Sequence, residues 1–95
     1  MDMILTIQED PNKGFVLIQE NELPVGKMTY SKAGDKLIVI DSTYVDEAYR
    51  GQDAGKKMLY KIVEMARVND IKIIPLCPFA SYIFTNNVDI QDVLR

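Results

Sequence analysis

The residues able to do chemistry gather in one short stretch, Val45-Asp46-Glu47-Ala48-Tyr49-Arg50-Gly51-Gln52-Asp53-Ala54-Gly55-Lys56-Lys57. It joins a strand pattern to a helix pattern. The first turn of a helix presents backbone N–H groups that lack intrahelical partners, at the positive end of the helix dipole; together these make an anion site. Gly51 and Gly55 let a ligand approach the backbone closely, and Arg50 and Lys56 add positive charge. A phosphate or pyrophosphate is the natural ligand of such an arrangement. The plainer alternative is a tight turn capping an amphipathic helix with solvated lysines. A P-loop is excluded: it needs four residues between its glycines and then Lys-Ser/Thr, whereas Gln52-Asp53-Ala54 and then Lys56-Lys57 stand here. The stretch is not a GxGxxG dinucleotide fingerprint either.

The absence of histidine from the chain excludes a Ser-His-Asp triad, a Cys-His dyad and any His-ligated metal. Proton transfer is left to carboxylates, tyrosine, cysteine, lysine or water. A single cysteine, Cys77, rules out an internal disulfide and a Cys-rich zinc site, so no metal is expected and a reducing cytoplasm is the simplest location. Eleven Lys+Arg against fourteen Asp+Glu give a net charge of −3, which weighs against a general nucleic-acid binder. Apolar runs stop at four residues, as in Leu37-Ile38-Val39-Ile40, far short of the roughly 20 that span a bilayer. The N-terminal Met1-Asp2-Met3 lacks the basic and apolar regions of a signal peptide.

Two kinds of element must position the Val45–Lys57 stretch. The first half of the chain reads as four short strands separated by turn chemistry: Met3 to Gln8, Phe15 to Gln19, Val25 to Ser31 and Lys36 to Tyr44. The last is apolar on both faces through Ile40, which predicts a central strand covered on both sides. The period then changes. Ala54, Met58, Leu59, Ile62, Val63 and Ala66 share one face of a helix over Gln52 to Val68 that Asn69-Asp70 stops. Ile71 to Leu76 is a strand interrupted by Pro75, and Pro78 suits the first turn of a second helix reaching about Asn86. Strand, helix, strand from Leu37 to Leu76 is a βαβ unit with parallel strands. The expected fold is α+β with a mixed sheet: an antiparallel meander followed by a βαβ unit and a C-terminal helix, in a single domain over 1–95.

Tyr49-Arg50-Gly51-Gln52-Asp53-Ala54-Gly55-Lys56 after a strand resembles motif A of the GNAT superfamily of acetyl-CoA-dependent N-acetyltransferases, Gln/Arg-x-x-Gly-x-Gly/Ala. Arg50 and Gly55 match its first and last positions; Asp53 stands at the middle glycine. Ile73-Ile74-Pro75-Leu76-Cys77-Pro78-Phe79-Ala80-Ser81-Tyr82 is similar to the second strand and Cys-Pro turn of the short, single-domain branch. The resemblance runs from about Gly14 to Asn87.

That resemblance implies acetyl-CoA as co-substrate. Its pyrophosphate is expected on Gln52, Asp53, Ala54, Gly55 and Lys56, beside Arg50 and Gly51, with the pantetheine arm along Thr43, Tyr44 and Val45. Asp53 is expected to weaken CoA binding relative to glycine. The implied reaction is direct acetyl transfer to an amine. A lysine-like amine has a pKa of ~10.4, so making it neutral at pH 7 costs ~4–5 kcal/mol, and a base should take the proton. Leu37 stands where one enzyme type of the superfamily carries its base, so Asp41 is the best substitute, with Glu47 next; either also reads as a structural or solvated carboxylate. Cys77 reads as a proton donor, a lining of the thioester pocket, a covalent acetyl carrier or a small buried thiol. Tyr82 reads as the acid that protonates the leaving thiolate or as helix packing. The expected acceptor is an amine of a small molecule, peptide or protein, and the expected assembly a monomer or weak dimer. The alternative is a CoA-binding or protein-interaction module with little or no catalysis.

Overall fold

The computed structural model describes residues 3–95; Met1 and Asp2, within the stretch expected to lack a signal peptide, lie outside the described residues. Five strands, β1 (Met3–Glu9), β2 (Lys13–Glu20), β3 (Leu23–Lys32), β4 (Leu37–Val45) and β5 (Lys72–Pro75), form one sheet in the order β1-β2-β3-β4-β5. The first three junctions are antiparallel and the β4–β5 junction is parallel. Helix α1 (Ala54–Asn69) makes the crossover, and α2 (Pro78–Asn86) follows β5. This is the mixed α+β sheet that the period change predicts.

Period-two alternation sends Val16, Ile18, Met28, Tyr30, Ile38 and Ile40 to one face, where all are buried. Helix α1 lays Ala54, Met58, Leu59, Ile62, Val63 and Ala66 onto that face. It starts two residues later than expected, because Asp53 is left-handed at φ 60° and cannot be helical. It ends as expected. Asp70 is left-handed, Ile71 donates to the Ala66 carbonyl at 2.8 Å and Asp70 to the Arg67 carbonyl at 3.4 Å, a Schellman closure.

One expectation is overturned. The apolar run through Ile40 predicts cover on both faces of β4, yet helices pack on one face only among the described residues. Leu17, Leu37 and Val39 point the other way and are half-buried. On that face, cross-strand neighbours shield one another; Lys27 Nζ, for example, lies 4.4 Å from the centroid of the Phe15 ring.

The β4–β5 pairing is short. It runs from Leu37↔Lys72 to Ile40↔Pro75, where the proline has no N–H to continue the ladder. Opposite β3, Tyr30 pairs with Ile40 and Thr29 with Ser42, so Asp41 is the extra residue of a bulge that bends β4 at the same place. The end of β4 therefore leaves β5. Val88–Val93 forms a 3-10 turn held to α1 by Arg67, whose Nη2 meets Asp92 Oδ1 at 2.7 Å and the Asp89 carbonyl at 2.6 Å. Arg95 then donates to the Ile73 carbonyl at 3.0 Å, so the tail lies along the outer edge of β5.

Tyr30 anchors the other end of the meander. It is buried and its hydroxyl donates to Glu9 Oε2 at 2.6 Å, with Lys32 Nζ 3.1 Å from Glu9 Oε1. The Tyr30 bond, with help from Lys32, holds the Glu9 carboxyl below its usual range. Burial and then the Glu9 carboxylate hold the phenol well above its usual range. The lowered Glu9 value adds stability above its unfolded pKa of ~4.3, and this is lost as pH falls through the folded value; the raised phenol adds stability below ~10 that is lost as pH rises through its folded value. Tyr30→Phe is expected to cost ~1–3 kcal/mol in urea unfolding at pH 7 and to flatten the decline of stability below pH ~4.3. An unchanged acid limb in the variant would remove Glu9 from that role.

Candidate active site

The segment after β4 is built by short-range bonds. Asp46 Oδ1 accepts from the Ala48 N–H at 3.0 Å and starts a 3-10 turn over Glu47–Tyr49. Arg50 Nε donates to the Val45 carbonyl and Gln52 Nε2 to the Ala48 carbonyl, each at 3.4 Å. Gly51 follows at φ 84°, a conformation natural to glycine, and Asp53 at φ 60°. Aspartate tolerates the left-handed region better than most residues. A middle glycine in the motif is thus explained by backbone geometry, and Asp53 meets the same demand at modest cost.

Asp53 is the N-cap of α1, but its side chain makes no capping bond. The first helical bond runs from Lys57 N–H to the Asp53 carbonyl at 2.9 Å. The amides of Ala54, Gly55 and Lys56 therefore have no acceptor among the described residues. Three open N–H groups at the positive end of a helix of 16 residues, flanked by Arg50 and Lys56, suit a phosphate.

These amides open onto a groove of about 550 Å³. Thr43 and Val45 of the diverging β4 form one wall, and Arg50, Gly51, Asp53, Ala54, Gly55 and Lys56 the floor. The far wall is α2, which offers Phe79, Tyr82 and Ile83 at helical spacing, with Asn87 just past its end. Tyr82 is exposed and Phe79 partly so, leaving aromatic surface facing the groove. Cys77, buried at the N-cap of α2, does not line the groove itself; its Sγ lies 3.3 Å from Oγ1 of Thr43, which does. Leu76 and Cys77 both donate to the Ile40 carbonyl, at 3.1 and 3.0 Å, which turns the chain from β5 into α2.

Most of the residues expected at the site meet in this groove. Five do not line it, among them Cys77, which meets it only through its contact with Thr43. Tyr44 pairs with Lys27 on the opposite face of the sheet and its side chain is exposed. Gln52 lines a neighbouring cavity of about 890 Å³ with Glu20, Tyr49 and Lys57. Asp41 accepts a hydrogen bond from Ser31 Oγ and lines a third cavity with Phe15, Lys27 and Thr29. Glu47 is exposed in the 3-10 turn. Sequence reasoning missed Phe79, Ile83 and Asn87 as groove residues; the apolar spacing of Phe79 and Ile83 after Pro78 was the available signal. It also missed Glu20, whose Oε1 accepts from the Tyr49 hydroxyl at 3.2 Å. Burial and then that carboxylate push the Tyr49 phenol above its ordinary range.

Gly55 carries a correction. The sequence pattern predicts that its missing side chain admits a ligand to the backbone. In the structure, a Cβ at this position would overlap the Phe79 ring, so the vacancy is filled by α2. Gly55→Ala is accordingly expected to cost ~1–3 kcal/mol in thermal or urea unfolding. Adding Phe79→Ala should recover much of that loss, whereas additive losses would show that the ring is not what the glycine accommodates.

The family model described as GCN5-related N-acetyl-transferase matches residues 14–93. The solution structure of a GCN5-like protein from Staphylococcus aureus, assigned as an N-acetyltransferase, is 34% identical with a TM-score of 0.71, covering 96% of this chain and 88% of that one. A GNAT-family acetyltransferase from Staphylococcus aureus is 25% identical with a TM-score of 0.65, over 79% of this chain and 51% of that one. A Bacillus anthracis protein assigned to streptothricin acetylation, solved in complex with acetyl coenzyme A, shares the fold at 20% identity and a TM-score of 0.58, over 67% of this chain and 37% of that one. The chain thus spans about half and just over a third of the last two structures. No curated protein matches it. No helix among the described residues is long and apolar enough to cross a membrane. With a family model over most of its length and the matching fold, the chain belongs to the GCN5-related N-acetyltransferase family.

Proposed function

We propose that this single domain binds acetyl-CoA in the groove between β4, α1 and α2 and transfers the acetyl group directly to an amine of a small molecule, peptide or protein. The observation that carries the reading is the set of open amides of Ala54, Gly55 and Lys56 at the N-terminus of α1, on a groove bounded by the end of β4 that has left β5. The donor set fits a pyrophosphate: backbone N–H groups, the helix dipole, Arg50 and Lys56 are all electropositive. Thr43, Tyr44 and Val45 pair with β3 but have no β5 neighbour, and that open edge fits an extended amide-bearing arm. A bound acetyl-CoA complex in a protein of the same fold adds support.

When bound, acetyl-CoA supplies the acetyl group as an activated thioester. The chain's own groups do the rest. Cys77, held against the groove residue Thr43, flanks the thioester pocket through it or donates a proton there. Tyr82, exposed on α2 toward the groove, has a phenol free to protonate a leaving thiolate. Asp41 faces the other side of the sheet, where it can accept a proton from an amine arriving over the open face. A CoA-holding module with little catalysis is the second reading, favoured by the position of Asp41 outside the groove.

Titration of labelled protein with acetyl-CoA is expected to give saturable amide shifts over Gln52 to Lys56 and Thr43 to Val45. Silence at millimolar ligand would end the reading. Asp53→Gly removes a carboxylate beside the anion site and is expected to tighten CoA binding about two- to fivefold, the equivalent of ~0.4–1 kcal/mol. With an amine panel, Cys77→Ala and Tyr82→Phe are each expected to slow turnover about tenfold or more. Full activity in either returns that residue to packing, and no turnover with any amine in the wild type favours the module.

A further inference from the structure

Glu20 is the one charged residue buried among the described residues, at 9% exposure, and it lies far from the groove in sequence. It ends β2. Among the described residues its carboxylate makes no ion pair, and its hydrogen-bond partner is the Tyr49 hydroxyl, 3.2 Å from Oε1. Burying a carboxylate against a single neutral donor contributes little to folding and often costs stability. Its effect is better sought in what it holds.

What it holds is the segment that carries the anion site. Asp46 N–H donates to the Val25 carbonyl and Tyr49 N–H to the Asp46 carbonyl, each at 2.8 Å, but beyond Tyr49 the bonds are long: Arg50 N–H to Glu47 carbonyl at 3.3 Å, and Gln52 N–H to Tyr49 carbonyl at 3.4 Å. The side-chain bonds of Arg50 and Gln52, at 3.4 Å, are also local. Bonds of this length sit at the weak end of the useful range, as does the Tyr49–Glu20 bond at 3.2 Å, whose weight lies in its reach across the fold. The Tyr49–Glu20 bond is the one hydrogen bond, among the described residues, that joins residues 47–53 to a distant part of the chain. Tyr49 also walls both the groove and the neighbouring cavity that Glu20 lines. It directly precedes Arg50 and Gly51, so a displaced ring moves the residues that set the approach to α1.

We propose that Glu20 is a positioning residue for CoA binding: through Tyr49 it fixes the Arg50-Gly51-Gln52 turn in the conformation that presents Arg50 and the first amides of α1 to the pyrophosphate. The inference rests on the CoA reading above. It predicts that losing either end of the bond loosens the turn and weakens CoA, while the α1 core stays intact.

The test is calorimetric titration of CoA into the full chain as wild type, Tyr49→Phe, Glu20→Ala, Glu20→Gln and the Tyr49→Phe/Glu20→Ala double variant. Amide exchange is measured on each free protein. Loss of one such hydrogen bond should raise Kd about tenfold in Tyr49→Phe and in Glu20→Ala, with the double variant no weaker than either, since both remove the same bond. Glu20→Gln keeps an acceptor for the phenol and should bind within about threefold of wild type. Exchange should accelerate in residues 50–53 of the weakened variants and not in the α1 core. Wild-type binding with Tyr49→Phe and Glu20→Ala both within about twofold of it overturns the inference alone. Additive losses in the double variant do the same. Failure of the wild type to bind CoA overturns the underlying reading and the inference together. If Glu20→Ala does not fold, Tyr49→Phe, which keeps the ring, decides between these outcomes.

Discussion

The Ile40 carbonyl is where the parallel ladder between β4 and β5 stops, and the site depends on that ending. Pro75 brings no N–H to the ladder, and the next donors, Leu76 and Cys77, both turn onto the same oxygen. On the other side of β4, the extra residue Asp41 bends the strand where its β5 partner is lost. Two adjacent irregularities thus open a wedge in the sheet. One side is the edge of Thr43 to Val45 that faces away from β3 and has lost β5; the other is the turn that buries Cys77 against Thr43. A continuous ladder would leave no gap for a ligand and no direct route from β5 into α2.

The start of α1 shows a second constraint with a local cost. Many helices satisfy their first amides with an N-cap side chain, which contributes ~1 kcal/mol. Asp53 occupies the N-cap and has a suitable carboxylate, but its left-handed backbone leaves the side chain without a capping bond. The helix forgoes that stabilisation and its amides stay open. Burial of Ala54, Met58, Leu59, Ile62, Val63 and Ala66 against the sheet compensates, because helices in proteins draw most of their stability from the packed face. The anion site therefore rests on the core beneath it.

The same packing sets limits on the groove. The Phe79 ring fills the space over Gly55, so α2 comes closer to α1 than any side chain at position 55 would allow. The groove is narrowed by that contact and gains an aromatic wall. The tail ties of Arg67 to Asp92 and of Arg95 to Ile73 secure the C-terminal end of α1 and the outer edge of β5. The helical layer is thus held at both ends over one face of the sheet, while the other face, with Leu37 and Val39, stays open among the described residues.

Periodicity made the elements legible. The alternation of the meander, the stripe from Ala54 to Ala66, and the stops at Asn69-Asp70 and Pro75 are local patterns, and they determine strand, helix and parallel crossover without reference to distant residues. The anion-binding character of Arg50 to Lys56 is legible for the same reason, since a helix start with glycines and cations is a local property. Whether the second apolar face of β4 has a layer above it is not local. Leu37 and Val39 look the same in sequence whether a helix covers them or neighbouring strands do. The use made of Gly55 is equally invisible, because a glycine records only a missing side chain. Its neighbour, Phe79, arrives by a packing of α2 on α1 that no spacing encodes. Glu20 and Tyr49 meet across the fold and carry no mutual signal in the chain. By itself, the sequence determined the elements and the chemistry of one loop. Only the tertiary structure decided which side chains wall the groove, which face stays open and what steadies the loop, because those depend on contacts between segments brought together by burial.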